Sequence, residues 1–483
     1  MAEKLKNYIG GDWVESSASK YIPVHDPATC ELLGEVPEST AADVDAAVQA
    51  AVEGFDEWRR TPVLSRAQYM HHLKVLVEDR FEEISKMMVK ENGKTMDEAR
   101  GEVRRAIESI DYGMGVPFLM RNDGLEDISS GIDESTIRQP VGVFAAITPF
   151  NFPFMVPLWF LPTAIVCGNT YVMKPSPQTP MSMQILFEML DELDMPEGVV
   201  NLVHGGVSAA TAIMEHPDVA GVSFVGSTPV AKIIYETCTR NGKRVQAQGG
   251  AKNYIAVMPG ANMESSVKNI LGAAYGCAGQ RCLAAAIAVG VGDAYDEMKE
   301  ELVKQAANLK VGYGLDETTQ MGTVVSAAAK ERIESLIQKG EAEGAKVALD
   351  GRGLTVDGYE QGTFVGPTIL EDVTPDMEIA RTEVFGPVLA LMKADSFEDA
   401  VEMINKSTYG NAASIFTDSG REAREFKYRV NAGNIGVNIG VAAPSASFPF
   451  GGQKDSFFGD LHGQGPDSIE FFTDRKIVIE RWL

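Results

Sequence analysis

The residues of this chain best suited by type to covalent chemistry lie in Gly272-Ala-Ala-Tyr-Gly-Cys-Ala-Gly-Gln-Arg-Cys-Leu-Ala-Ala-Ala286. The stretch is small, glycine-rich and nearly uncharged, and it holds Cys277 and Cys282, two of five cysteines. A thiol attacks an electrophile only as thiolate, a form that a nearby cation or helix N-terminus favours. Cys282 follows Gly279 and sits directly after Arg281, the one strong cation of the stretch. The competing reading is a packed helix of small residues with inert thiols, since a free cysteine is usually a small apolar side chain. Composition alone would favour that second reading; the rest of the chain reverses it.

Further motifs carry polar groups at the ends of predicted strands. Thr148-Pro-Phe-Asn-Phe-Pro153 follows one strand, Lys174-Pro-Ser176 the next, and Phe224-Val-Gly-Ser-Thr228 a third. Gly249-Gly250-Ala-Lys-Asn253, Glu383-Val-Phe-Gly-Pro387 and Phe448-Pro-Phe-Gly-Gly-Gln-Lys-Asp-Ser456 complete the set. Ligands of parallel α/β sheets bind at the carboxyl ends of strands, where Lys174, Gly205-Gly206 and Gly226-Ser227 all fall. The usual GxGxxG dinucleotide fingerprint is absent after these strands. Taken singly, Asn151 also reads as a turn residue, Lys174 as a surface lysine and Glu383 as a surface glutamate.

The elements that must position these groups follow from the pattern. With 483 residues, 45% apolar and 23% charged, the chain predicts two or more folded domains. With 43 basic and 68 acidic side chains the net charge is −25, which disfavours nucleic acid and anionic membrane as partners. Five scattered cysteines with no CxxC and six histidines argue against structural disulfides and a zinc site, so no metal is expected. The start of the chain shows no apolar signal core, and the proline-broken run Phe152–Cys167 is short for a membrane span. A cytoplasmic location is expected.

Residues 1–37 read as short strands and turns, with Asp26-Pro27 a turn signal. Thr40 is placed to cap a helix whose apolar residues recur from Val44 to Phe55, and 64–121 continues helical. Extended chain is predicted at 128–140. Strands at 141–147, 170–173, 199–203 and 221–225 then alternate with helices at 181–193 and 209–215. Further strands are predicted at 254–257, 286–289 and 388–391. Such alternation predicts doubly wound parallel sheets. The stretch Ser468–Trp482 is β-prone, and 128–138 is a candidate partner for it.

Six or more motifs in this order, over essentially the whole chain, resemble the aldehyde dehydrogenase superfamily. Gly250-Ala-Lys-Asn253, Lys454-Asp-Ser-Phe-Phe-Gly-Asp-Leu-His462 and Arg281 before the cysteine are most similar to its CoA-acylating methylmalonate-semialdehyde dehydrogenases. The resemblance implies an α/β fold, aldehyde dehydrogenase-like, with two doubly wound α/β domains plus a small β oligomerisation element. A cofactor-binding domain is expected at 1–123 and 142–251, with 441–459 returning to it. A catalytic domain is expected at 252–440, and oligomerisation strands at 124–141 and 460–483, in a homo-oligomer, dimer or tetramer.

The resemblance also implies roles. Cys282 becomes the nucleophile and Asn151 an oxyanion-hole amide. Thr148, Phe150, Lys174, Pro177, Gln178, Ser227, Gly249, Glu383 and Phe385 fall at cofactor-binding positions, and Arg105 and Arg281 hold the substrate's distal carboxylate. Cys277 reads as a packed small residue, and Arg104, where the family usually has tryptophan, is an added cation without a role. Hydrolytic relatives carry a glutamate base two residues before the Gly-Gly pair. Here that position is Ala247, flanked by Gln246 and Gln248, which favours acyl transfer to coenzyme A over hydrolysis. Glu264 and Glu383 are other carboxylates to consider for that task. Pro177 stands where many NAD-using relatives have a glutamate that repels a 2′-phosphate. NAD is expected, with NADP tolerated.

The implied reaction is NAD-dependent oxidation of methylmalonate or malonate semialdehyde through a Cys282 thioester. Decarboxylation and transfer to coenzyme A would give propionyl-CoA or acetyl-CoA. The alternative is a non-acylating dehydrogenase giving a free acid from a succinate-semialdehyde-type or sulfonated aldehyde, with water activated by another group and NADP as a usable cofactor. A binding protein without activity is a third reading, against which Cys282, Asn151 and Glu383 speak.

Overall fold

The computed structural model describes residues 3–482; Met1, Ala2 and Leu483, which the expected outer segments include, lie outside the described residues. Its largest sheet has eight strands. From edge to edge they are Asp12–Val14, Asn7–Ile9, Val200–Leu202, Thr170–Lys174, Val143–Ile147, Val219–Val225, Arg244–Gln248 and Phe457–Gly459. The five strands from Val200–Leu202 to Arg244–Gln248 run parallel. Those on each side of them are antiparallel. Val-Phe-Ala-Ala-Ile, buried at all five positions, has the unbroken apolar character of a strand covered on both faces.

The order of the strands locates a crevice. From Val143–Ile147 the chain winds outward through Thr170–Lys174 to Val200–Leu202, then returns to place Val219–Val225 on the other side of its starting strand. Strand direction of travel therefore reverses between Ile147 and Val225, and ligands of open α/β sheets bind at such a switch point. The Thr148–Pro153 and Gly226-Ser227 segments leave from these two strand ends.

A second sheet has seven strands, in the order Lys346–Leu349, Thr368–Glu371, Val388–Ala394, Ala285–Val291, Asn253–Val257, Ala412–Phe416 and Asn434–Val437. Only its first pair is antiparallel. Here too the winding reverses, at Asn253–Val257 beside Ala412–Phe416, and Asn253 and Asn411 stand where these two strands begin.

Helices cover the sheets for readable reasons. Ala41–Trp58 starts at Thr40, whose backbone N–H donates to Asp43 in a capping box. Val63–Asp79, Phe81–Asn92 and Met96–Leu119 bury Met70, Leu73, Ile84, Met88, Val103 and Ile110 in one core. Met155–Val166 is buried at every position, as a helix apolar all round must be. No helix among the described residues is long and apolar enough to cross a membrane.

A third sheet joins Gly124–Ser129, Ile132–Pro140 and Thr473–Arg481, with Thr473 opposite Pro140 and Arg481 opposite Ile132. The β-prone reading of Ser468–Trp482 is corrected at its start: Gly465–Phe472 is a helix, and the strand begins at Thr473. Pro466 suits a first helical turn, where no N–H is needed. Helical spacing also lets Phe471 and Phe472 both pack on Phe144, with ring centroids 5.4 and 4.9 Å away. That burial overrides the intrinsic strand preference of the run.

Candidate active site

Cys282 is held by its own loop and by the second sheet. Helix Met263–Tyr275 ends at Gly276, and Cys277, Ala278 and Gly279 follow with φ of 51°, 50° and 70°. Left-handed backbone at non-glycine residues is strained and persists only when surroundings impose it. Here the Cys277 N–H donates to Glu98 Oε1 at 2.6 Å, and Gln280 Oε1 accepts the Val325 N–H at 3.0 Å. Gly279 must be glycine, because a Cβ would collide with the carbonyl of Gly386. The Cys282 carbonyl accepts from Asn253 Nδ2 at 2.8 Å and Asn411 Nδ2 at 2.7 Å. The loop is thus fixed from three directions before any ligand arrives.

Cys282, Arg281 and Arg105 share one cavity of about 320 Å³, walled largely by Phe152, Trp159 and Phe450. Trp159 and Phe450 lie 4.6 Å apart between ring centroids. Arg281 donates to the carbonyls of Gly272 and Ala273 in the last turn of helix Met263–Tyr275, where a cation is favoured; the Gly272 carbonyl also accepts the Gly276 N–H. Arg281 Nε is buried without a partner, an unsatisfied donor beside an apolar cavity. Arg105 pairs with Glu108 at 2.7 Å and donates to the Pro444 carbonyl. Arg104 points elsewhere: it is exposed, with its guanidinium 5.9 Å from the Phe81 ring centroid.

Burial pushes the Cys282 thiol up to about 12, and the Glu383 carboxylate adds to the rise. The N–H of Cys282, Arg281 and the N–H of Leu283 pull the other way without prevailing. The resting sulfur therefore keeps its proton. Cys277 is buried and also lines the cavity, so it is packed yet not remote; burial pushes its thiol to about 12 as well. Asn151 Nδ2 donates to the Gln280 carbonyl at 3.0 Å, which sets the amide two residues from Cys282 and leaves one of its two N–H bonds uncommitted.

The expected cofactor positions spread along the strand ends. Thr148 donates its N–H to the Lys174 carbonyl at 3.1 Å, and its buried hydroxyl has no partner. Phe150 meets Phe385 edge-on, 5.7 Å between centroids, and Phe385 has φ 54°. Lys174 Nζ donates to the carbonyls of Pro175 and Gly205, both at 2.9 Å, and burial pulls its ammonium down to about 8. Pro177 and Gln178 form a turn in which the Gln178 N–H donates to Ser176 Oγ at 3.2 Å. Ser227 caps helix Thr228–Arg240 without a side-chain bond to it, so first-turn N–H groups remain for an anion. Gly249 donates to the Ser456 carbonyl at 2.9 Å.

Glu383 accepts the Ala251 N–H at 2.9 Å, yet burial raises its carboxyl to about 7. A Cβ on Gly250 would sit 2.6 Å from Glu383 Oε2, so the second glycine of the pair admits the carboxylate. Glu383, Phe385, Gly279 and Arg281 line a smaller pocket, and Arg281 belongs to both. Lys174 and Ser227 line neither of the two.

The expected position of the missing base is refined by the sheet. Ala247 is fully buried in the core on the face shared with Val143, Val222 and Phe224. Its neighbour Gln248 turns the other way, where its buried amide donates to the carbonyl of Phe224 and accepts the Gly463 N–H at 3.1 Å. Gln248 carries an amide, uncharged and no proton acceptor at neutral pH. Glu264 is ruled out for that task by place: it begins helix Met263–Tyr275 in an exposed groove with Glu297 and Glu300.

Several contributors carried no readable signal. Helix Met96–Leu119 presents Glu98, Glu102 and Arg105, at i, i+4 and i+7, along one face. Glu98 binds the Cys277 loop, Glu102 accepts the N–H groups of Phe154 and Met155, and Arg105 binds Pro444. In the sequence, only Arg105 stood out, by resemblance. Asn253 lay inside a quoted motif without a role, and Asn411 had none; their shared hold on the Cys282 carbonyl depends on two strands being adjacent.

Comparison with known proteins agrees with this geometry. Residues 13–478 match the model of the aldehyde dehydrogenase family. Malonate-semialdehyde dehydrogenase 2 of Geobacillus kaustophilus (strain HTA426) is 46% identical over 480 residues, covering 99% of each chain. The malonate-semialdehyde dehydrogenase of Halalkalibacterium halodurans is 45% identical over 482 residues, again covering 99% of each. A Sinorhizobium meliloti 1021 protein, provisionally assigned as a methylmalonate-semialdehyde dehydrogenase and complexed with NAD, superposes with a TM-score of 0.98. It is 42% identical, with 100% of this chain and 99% of that one covered. The methylmalonate-semialdehyde dehydrogenase of Oceanimonas doudoroffii superposes equally well, with a TM-score of 0.98 at 41% identity, over 100% of this chain and 99% of that one.

Proposed function

The chain belongs to the aldehyde dehydrogenase family, and from that premise we propose that it oxidises malonate or methylmalonate semialdehyde with NAD and passes the acyl group to coenzyme A. The observation that carries this reading is the shared cavity of Cys282, Arg281 and Arg105. It offers a nucleophile and two guanidinium groups for a carboxylate, with Phe152, Trp159 and Phe450 among its walls. A guanidinium fork matches a carboxylate in two parallel hydrogen bonds, and the partnerless Nε of Arg281 gives it a reason to bind one.

The chemistry follows from the positions. On giving up its proton to water, the Cys282 sulfur attacks the aldehyde carbon as thiolate, and the free N–H of Asn151 with the Cys282 N–H stabilises the resulting oxyanion. Loss of hydride leaves a thioester on Cys282. The carboxylate of a malonyl-type thioester lies β to the thioester carbonyl, so that carbonyl accepts the electrons when CO₂ departs. The same amide donors then hold the enolate oxygen until its α-carbon takes a proton from water, which leaves the acetyl or propionyl thioester on Cys282. Gln248 takes no proton from water, so the thioester waits for a better nucleophile, the thiol of coenzyme A.

The residues fit a dinucleotide. The open first turn after Ser227 suits a pyrophosphate. The ammonium of Lys174 has a donor beyond its two carbonyl partners for a ribose hydroxyl, and Glu383 has acceptor capacity beyond the Ala251 N–H for another. When bound, the oxidised nicotinamide supplies the hydride acceptor. Pro177 brings no charge against a 2′-phosphate, so NADP is admitted more weakly than NAD rather than repelled. We assign 1–123, 142–251 and 441–459 to cofactor binding and 252–440 to catalysis. The sheet that includes Thr473–Arg481, with Ile477 and Ile479 exposed, we assign to pairing with further copies.

The test is NADH formation from malonate semialdehyde with and without coenzyme A. Without it, one equivalent of NADH per Cys282 forms quickly and turnover then slows; with it, turnover is sustained. Equal steady-state rates in both would overturn acyl transfer to coenzyme A, and a Cys282→Ala protein with undiminished activity would overturn the nucleophile.

A further inference from the structure

The loop that carries Asn151 has little of its own to hold it. Residues 148–154 form no helix or strand between Val143–Ile147 and Met155–Val166, and Pro149 and Pro153 each lack a backbone donor. Beyond the Thr148 N–H on Lys174 and Thr179 Oγ1, which donates to the Phe150 carbonyl at 3.2 Å, the hold comes from the segment 92–102. Asn92 Nδ2, at the end of helix Phe81–Asn92, donates to the Phe150 carbonyl at 2.9 Å. Gly93, with φ 88°, closes that helix and brings in Lys94. Lys94 Nζ donates to the Asn151 carbonyl at 2.9 Å and pairs with Glu102. Both side chains of the pair are fully buried, at 0% exposure. Glu102 Oε1 in turn accepts the N–H of Phe154 at 2.9 Å and of Met155 at 3.0 Å.

One ion pair therefore grips the loop on both sides of its amide, the cation at residue 151 and the anion at 154 and 155. A buried ion pair is a weak source of stability, because desolvation offsets the attraction. What it does supply is a fixed distance between two backbone sites. Asn151 needs that, since its side chain reaches the Gln280 carbonyl across to a different loop, and small displacements of a catalytic donor are costly.

We propose that Lys94 and Glu102 are positioning residues that set the Asn151 amide for the oxyanion; the inference rests on the reading of Asn151 given above. Neither side chain needs to touch the reacting atoms for this role. The pair fixes the carbonyl of residue 151 and the first N–H groups of the following helix, so the Nδ2 group is delivered at one place.

The test replaces both partners with methionine, K94M/E102M, which leaves no charge unpaired in the interior. First-turnover NADH formation, the Kd for NAD and the rate of Cys282 alkylation by iodoacetamide are measured, with N151A as reference. N151A is expected to slow the first turnover by about 10²- to 10³-fold, and K94M/E102M by about 10- to 100-fold. NAD affinity and alkylation should stay within about twofold, and the triple variant should be no slower than N151A within about twofold. E102Q, isosteric and still able to accept one N–H, carries the same test if the double variant does not melt cooperatively. A folded pair variant or E102Q protein with a wild-type first turnover would overturn the inference while leaving Asn151 its role. A full-size further loss in the N151A background would overturn it too. A wild-type rate in N151A would remove the oxyanion reading and the positioning claim together.

Discussion

Replacing Arg281 with methionine separates substrate recognition from every other effect of that residue. The guanidinium has three measurable consequences in this geometry: it pulls the Cys282 thiol toward thiolate, it donates to the carbonyls of Gly272 and Ala273, and it puts a cation in the wall of the Cys282 cavity. The first acts on any aldehyde. The second costs less than about 1 kcal/mol when lost, since water reaches that turn. Only the third depends on a carboxylate in the substrate. A hydrogen bond to a charged group contributes about 1.5–3 kcal/mol, which is about 10- to 150-fold in rate. The assay is kcat/KM in R281M and wild type for malonate semialdehyde and for propanal, which lacks the carboxylate. The ratio of the two should fall by about 10- to 150-fold, whatever happens to the common factor. Equal losses on both aldehydes would refute the clamp and leave Arg281 a thiol-tuning residue alone.

Glu383 gives a pH prediction. Burial raises its carboxyl to about 7, so the charged acceptor is present above that pH and lost as pH falls through it. The Kd for NAD should rise below about pH 7, approaching tenfold per unit, in titrations followed by fluorescence; E383Q should flatten the profile, and an equal slope in that variant would remove Glu383 from the explanation. In Gln248→Glu a carboxylate stands beside Phe450, and turnover without coenzyme A should rise by at least about tenfold if it serves as base, read as steady-state NADH formation. An unchanged rate would show that the site has another reason to exclude water.

Cys282, Asn151, Arg105, Arg281 and Glu383 could all be singled out from motifs in order, and the strands that end beside them have patterns short-range enough to read. What escaped notice depends on distance along the chain. Glu98 meets Cys277 from 179 residues away and Asn411 meets Cys282 from 129; neither contact leaves a local trace, because Glu98 looks like an ordinary first-turn acid and Asn411 like a turn residue. Ala247 and Gln248 illustrate a different limit. Adjacent strand residues point to opposite faces, and the burial of Ala247 in the core with Val222 and Phe224 is a matter of sheet packing that spacing alone does not carry. Ser468–Phe472 read as strand because Ile469, Phe471 and Phe472 lead into the β-branched run that follows, whereas the contacts with Phe144 that decide its conformation are remote.

The face of helix Met96–Leu119 has a consequence for precision. Glu98, Glu102 and Arg105 span about 10 Å of one rod, and three loops from separate parts of the chain are measured from it: the turn before the nucleophile, the segment after the amide, and the stretch that leads to Phe450. Errors in placing parts accumulate when each part is located from the last, and they do not when all are located from a common datum. A shift of this helix would carry the three loops with it and leave their mutual spacing nearly intact. Slow drift in sequence elsewhere is thereby uncoupled from the fit between sulfur, amide and cavity wall, while a bend between residues 98 and 105 would disturb all three at once.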